Sequence, residues 1–179
     1  MLRRPSWRHM TLKVGPIHPP ALSLPLWPSQ DLDITGASHL IVQVGPTVDA
    51  TTERVALARS HAPTTLLNLP AYDAAGAETL KATLRLSRVG LRVMVIGGQY
   101  DVLQALAECR ASGVLPPELR AIVTHTRDLP VFCAHCRTTS RICAVTGGEA
   151  TCPGCSRRVE IHSHTSEIRG SFLASAIAA

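Results

Sequence analysis

Two Cys-x-x-Cys pairs constrain this chain more than any other feature. Cys133/Cys136 and Cys152/Cys155 stand fifteen residues apart in the run F-C-A-H-C-R-T-T-S-R-I-C-A-V-T-G-G-E-A-T-C-P-G-C-S. A Cys-x-x-Cys turn aims two sulfurs the same way, and a short hairpin brings a second pair to the same point. Gly147-Gly148 lies where that hairpin must turn, and Pro153-Gly154 lets the second pair wrap tightly. The spacing predicts one metal ion held by four thiolates, at Cys133, Cys136, Cys152 and Cys155. One tetrahedral site accounts for all the spacings together, which two disulfides or four unrelated thiols do not.

The rest of the chain must supply a core without rings. Aromatic residues make up 3% of the 179, so Ala, Leu, Val and Ile must fill it. The net charge of +5 is concentrated at the start, where Arg3, Arg4, Arg8 and Lys13 precede the first acidic residue, Asp31. A nucleic-acid footprint would instead be a dense basic face on a folded domain. The two remaining cysteines, Cys109 on an expected helix and Cys143 on an expected strand, read as buried small hydrophobes. This cysteine usage suits a reducing cytoplasm. No apolar run is long enough to span a bilayer, and prolines interrupt every candidate signal segment. Met10 is an alternative start.

Residues 1–33 read as a Pro-rich arm, because Pro5, Pro16, Pro19, Pro20, Pro25 and Pro28 forbid helix and central strand. Trp7 reads as disordered. Trp27 needs a surface to bury it, on its own domain or on a partner subunit. Residues 34–129 read as an α/β domain in which strands and helices alternate. His39 to Val44, Thr64 to Leu69, Leu91 to Ile96 and Leu119 to Thr124 are expected strands. Asp49 to Arg59, Asp73 to Arg88 and Tyr100 to Ser112 are expected helices, with Gly90 ending the second and Gly97-Gly98 turning into the third. That order predicts a small parallel sheet with helices on both faces. Residues 130–179 are expected to hold the cysteine module and a tail. Arg157 to His164 alternates as a strand, with Val159 and Ile161 on one face and Glu160, His162 and His164 on the other. The small apolar tail from Arg169 onward is expected to dock or fray.

Glycines at strand ends are where α/β folds hold phosphates. Gly45, Gly97 and Gly98 are the candidates for a nucleotide such as NADPH. Neither Gly45-Pro46-Thr47 nor Gly97-Gly98-Gln99 is a G-x-G-x-x-G, Pro46 removes a backbone donor, and glycine also serves simply to make the turn. No Ser/His/Asp set, phosphate loop or carboxylate pair is visible, so no catalytic residue is assigned. His162 and His164 could contribute to a second metal site or be plain surface residues. His135 lies between two ligands, but four cysteines complete the shell without it.

The module C-A-H-C-R-T … T-C-P-G-C-S-R-R-V-E-I-H-S-H-T-S-E-I-R-G-S-F-L follows a strand-Gly-helix unit, V-M-V-I-G-G-Q-Y-D-V. Together they resemble the A subunit of bacterial dimethylamine monooxygenase, from about His39 to Leu173 and most specifically from Cys133 onward. The α/β part resembles the nucleotide-binding half of ferredoxin-reductase-type flavoproteins, and the cysteine module a zinc ribbon or rubredoxin. The resemblance implies a subunit of a multicomponent oxygenase whose flavin reductase and oxygenase components lie on partners. The implied reaction is NADPH- and O2-dependent demethylation of dimethylamine to methylamine and formaldehyde. This chain would serve there as scaffold or electron relay. Zinc is favoured over iron at the four cysteines. Arg137 and Ser156 stand where rubredoxin-type iron sites place glycine, the surroundings lack aromatics, and the spacer is short. Two other classes compete. A nucleic-acid-binding zinc ribbon would rely on Arg137, Arg141, Arg157 and Arg158, and a free-standing redox protein would use a nucleotide at Gly97-Gly98.

Overall fold

The computed structural model describes residues 24–25, 27–28 and 30–177. Most of the expected arm, including Trp7 and Met10, lies outside them. Two sheets share one helix. The first sheet is parallel, in the order β2-β1-β3-β4, from β1 (Ser38–Val44), β2 (Thr64–Leu69), β3 (Leu91–Gly98) and β4 (Leu119–His125). Helix α1 (Asp49–Arg59) covers one face. Helices α2 (Ala74–Arg85) and α3 (Gln99–Ala111) cover the other. The second sheet has the order β6-β5-β9-β8-β7 and packs on the far side of α3. Its strands are β5 (Asp128–Cys133), β6 (Thr139–Cys143), β7 (Glu149–Thr151), β8 (Arg158–Ser166) and β9 (Ser171–Ala176).

The unbroken apolar runs follow from burial on both faces. In β1, Leu40, Val42 and Val44 face α2 and α3, while Ile41 faces α1. In β3, Val93 and Val95 face one way, Met94 and Ile96 the other. The one amide inside this run is satisfied. Gln43 is buried, donates to the Val44 and Pro46 carbonyls, and accepts from the Thr51 hydroxyl. It thereby ties the end of β1 to the first turn of α1. Helix α3 is the common wall. Val102, Ala105, Leu106 and Cys109 enter the α/β core, and Leu103 enters the core of the second sheet.

Several expectations are corrected. No hairpin turns at Gly147-Gly148: the strands on either side of it, β6 and β7, stand at opposite edges of the second sheet. The third strand does not stop at Ile96 ahead of a Gly97-Gly98 turn; both glycines belong to β3, paired to Val123 and His125 across a register shift. A Cβ on Gly97 would crowd the Val44 carbonyl oxygen at 3.0 Å, and one on Gly98 would run into the His125 ring. Helix α2 stops at Arg85, three residues short of Arg88. Gly90, at φ 90°, belongs to the turn into β3 rather than to the helix cap. Of the two alternatives for the tail, docking holds: β9 is the middle strand of the second sheet, parallel to β5 and antiparallel to β8. Cys143 is on a strand but exposed, whereas Cys109 is buried as expected. The junction at position 129/130 falls inside β5.

The two sheets are fastened along the first half of α3. Near its first turn, the Asp101 carboxylate accepts the Tyr72 backbone N–H and both Arg141 nitrogens, and Arg141 lies 3.9 Å above the Tyr100 ring centroid. Farther along, Gln104 donates to the carbonyls of Arg169 and Gly170, in the turn between β8 and β9. Trp27 folds back on its own chain. With Leu24 and Pro25 it lines a cleft beside Gln99, Leu129 and Phe172, and remains 38% exposed.

Candidate metal centre

Each cysteine pair sits in a turn of the same design. Cys133 donates its N–H to Thr138 O at 3.0 Å, and its carbonyl accepts Arg137 N–H at 2.8 Å. Cys152 donates to Arg157 O at 2.9 Å and accepts from Ser156 N–H at 2.8 Å. The residue after each pair must turn left-handed, and Arg137 and Ser156 do so at φ 59° and 58°. They adopt the backbone that glycine would take most easily, so the missing glycines leave the turn geometry intact. The first turn is pinned to the sheet by Ala134 N–H, which donates to Ala174 O in β9 at 3.1 Å.

The turns bring all four sulfurs within 4.8 Å of one another. Cys133 and Cys155 sulfurs are 3.9 Å apart, and Cys136 and Cys152 sulfurs 3.6 Å. A metal–sulfur bond of about 2.3 Å puts tetrahedral ligands roughly 3.8 Å apart, so the donor set fits such an ion. Both separations are far beyond a disulfide bond of about 2.05 Å. Gly154 permits the approach, since a Cβ there would lie 3.1 Å from Cys136 Sγ. Cys133 and Cys152 are buried; Cys136 and Cys155 are partly exposed.

The thiols differ in acidity. The Thr138 backbone N–H, directed at Cys136, holds that thiol below its ordinary value. Burial pushes Cys152 up, against the backbone N–H groups of Gly154 and Cys155 that favour its thiolate. Four thiols so close cannot all ionise unless a cation lies between them. Among the described residues no histidine joins this group. His162 instead meets Ser175 Oγ at 2.8 Å, and His135 is exposed.

Residues 130–174, which contain all four cysteines, match the family described as dimethylamine monooxygenase subunit DmmA-like, C-terminal domain. The chain is also 31% identical over 160 residues to the heme-dependent oxidative N-demethylase delta subunit of Ectopseudomonas mendocina (strain ymp), an alignment covering 87% of each protein. The chain belongs to the DmmA-like family. No solved structure matches it. The DmmA-like resemblance thus holds: the family model covers the cysteine module, and the N-demethylase relative aligns with most of the chain.

The glycines singled out for a nucleotide lie together. Gly45 follows β1 and Gly97-Gly98 are the last two residues of β3, on adjacent strands at the carboxyl edge of the parallel sheet. Gly45 is at φ 83° with open space beside it. Gly98 is covered, since a Cβ there would lie 2.5 Å from His125 Cε1 and 3.3 Å from Asp101 Oδ2. The Asp101–Arg141 link was not legible in the sequence, because nothing in spacing joins residues forty positions apart. That link also engages one of the four arginines a nucleic-acid site would rely on, and another of them, Arg158, pairs with Glu149. Among the described residues no helix is long and apolar enough to cross a membrane.

Proposed function

We propose that this DmmA-like chain is a subunit of a multicomponent oxidative N-demethylase and holds one zinc ion at Cys133, Cys136, Cys152 and Cys155. The observation that carries the reading is the four-sulfur geometry, in a chain with a relative named as an oxidative N-demethylase subunit along most of its length. Such an ion joins two hairpins by bonds that hydrogen bonding alone does not supply, so the module serves as a scaffold. Iron at the same four sulfurs would make the chain an electron relay. The heme named for the relative, the flavin and the oxygen chemistry belong to partner subunits. The proposed reaction is NADPH- and O2-dependent conversion of dimethylamine to methylamine and formaldehyde, in the cytoplasm, where the thiols stay reduced. NADPH also belongs to a partner, because the Asp101 carboxylate stands beside Gly98, where a phosphate would have to approach the start of α3. The reductase-like and zinc-ribbon-like readings of the two parts belong to the same proposal.

Elemental analysis and a visible spectrum of untagged protein test the metal. One zinc per chain and no colour is the expected result; one iron with thiolate charge-transfer bands would replace the scaffold by the relay. Reconstitution tests the assembly. A complex that keeps full demethylation without this chain would refute its role. NADPH that binds the isolated chain would return the nucleotide to Gly45, Gly97 and Gly98.

A further inference from the structure

Strand β2 is an edge bracketed by Pro63 and Pro70 but unguarded between them. It pairs with β1 over six successive residues, His39 with Thr64 through Val44 with Leu69, without a bulge. Among the described residues no strand covers its outer side. Natural edges are blunted by charge, proline or bulges. The sequence T-T-L-L-N-L has none of them. A cleft flanks the strand on each face. One of about 290 Å³ lies between α1 and Leu66; another of about 610 Å³ lies between Thr65 and α2, beside Leu86, which is 85% exposed.

Helix α1 carries a self-complementary face along this edge. Asp49, Thr52, Ala56 and Arg59 recur at helical spacing and are all exposed. Thr52, Ala56 and Arg59 line the smaller cleft with Leu66. The middle of the face is small, and its ends carry opposite charges. Asp49 and Arg59 make no ion pair with the other described residues. A two-fold axis perpendicular to the sheet would set β2 antiparallel to a second β2. It would also set Asp49 of each copy against Arg59 of the other. Because α1 packs over β1 and β2, the two α1 helices would lie two strand spacings apart, about 9.6 Å. That is within the usual distance of about 8–10 Å for packed helices.

We propose that a second copy of this chain adds across β2, extending the four-stranded parallel sheet into one of eight strands with an antiparallel β2–β2 junction at its centre. The contact is isologous, so it closes as a dimer and leaves the cysteine modules at opposite ends of the joined sheet. It needs neither the metal nor the demethylase reading. Neither of those outcomes bears on it.

Sedimentation velocity of the full chain over about a hundredfold range of concentration tests it. A reversible dimer is expected. Asp49→Arg alone, or Arg59→Asp alone, makes two repulsive pairs by symmetry and should weaken dimerisation at least about tenfold at low salt. The double variant should restore it, with far-UV circular dichroism confirming the helix in each. A chain that stays monomeric throughout overturns the proposal. So does a dimer that both single reversals leave intact, or a folded double variant that stays monomeric. Hydrogen exchange separates the other occupants. Protection of β2 amides in a monomer would assign the edge to the chain's own first residues, and protection that appears only with a partner subunit would assign it there. Either result replaces the second copy.

Discussion

Replacing Gly170 by alanine should loosen the cysteine module from the α/β core. Gly170 lies in the turn between β8 and β9 at φ 60°, and a Cβ there would lie 2.3 Å from Leu103 O and 2.9 Å from Ala107 Cβ. Both neighbours belong to α3, and a helix carbonyl cannot step aside. Left-handed backbone costs alanine about 1–2 kcal/mol. Forcing a methyl group into packed structure adds about 1–3 kcal/mol. If the turn lifts to escape, the two Gln104 hydrogen bonds are lost, at about 1 kcal/mol each. The escape routes compete rather than add, so the total comes to roughly 3–4 kcal/mol. Gly147→Ala provides the control: φ is 78° with nothing within 4 Å of the added methyl, so only the backbone cost of about 1–2 kcal/mol applies. Urea unfolding of the two variants, extrapolated with a common slope, measures the difference. We expect about 2 kcal/mol between them; equal destabilisation would show that the turn does not clamp α3 and would refute the reasoning.

Other expected outcomes follow from the same geometry. Cys152→Ser should release the metal and open residues 130–177 to protease, read by metal content and a timed digest. A strong chelator should do the same to the wild-type chain, reversibly on adding zinc. Arg141→Met leaves the Asp101 carboxylate, 10% exposed, with only the Tyr72 N–H. The cost should be about 2–3 kcal/mol, less than for a fully buried pair because Arg141 is 36% exposed, and adding Asp101→Asn should recover part of it in a melt. Asp33 accepts the hydroxyl and backbone N–H of Thr35 and pairs with Arg92 and Arg120, which holds its carboxyl down to about 2. A lowered carboxyl stabilises above its unfolded value near 4 and loses that stability as pH falls toward 2. The loss should be on the order of 1–2 kcal/mol after solvent screening, and Asp33→Asn should flatten that limb of the pH–stability curve.

Local signals in the sequence are the ones the structure repeats. Helix α1 and strand β2 occupy their expected residues, because Asp49 opens the helix and Pro70 closes the strand. The four cysteines meet because each pair lies in the turn of its own hairpin, β5–β6 or β7–β8, and β9 holds the two hairpins side by side. What was not legible is long-range. Gly97 and Gly98 look like a turn, and only the closeness of Val44 O and His125 shows why a strand would carry two glycines. The S-F-L-A-S-A run is too small and mixed to announce a central strand; its place comes from Phe172 and Ala174 filling a core built by four other strands. Cys143 alternates correctly, but its strand is an edge, so its side faces solvent.

The position of β9 also sets an order of assembly on the ribosome. Strands β5 and β6 form one hairpin and β7 and β8 another, and the two share no backbone pairing until residues 171–176 enter between them. Both cysteine pairs have been synthesised well before that. A metal ion bound at the four sulfurs can therefore join the hairpins while β9 is still being made, so that the last strand finds its slot already shaped. On that path the ion acts as a template during synthesis, and a chain made under metal starvation would have to find the same register by loop closure alone.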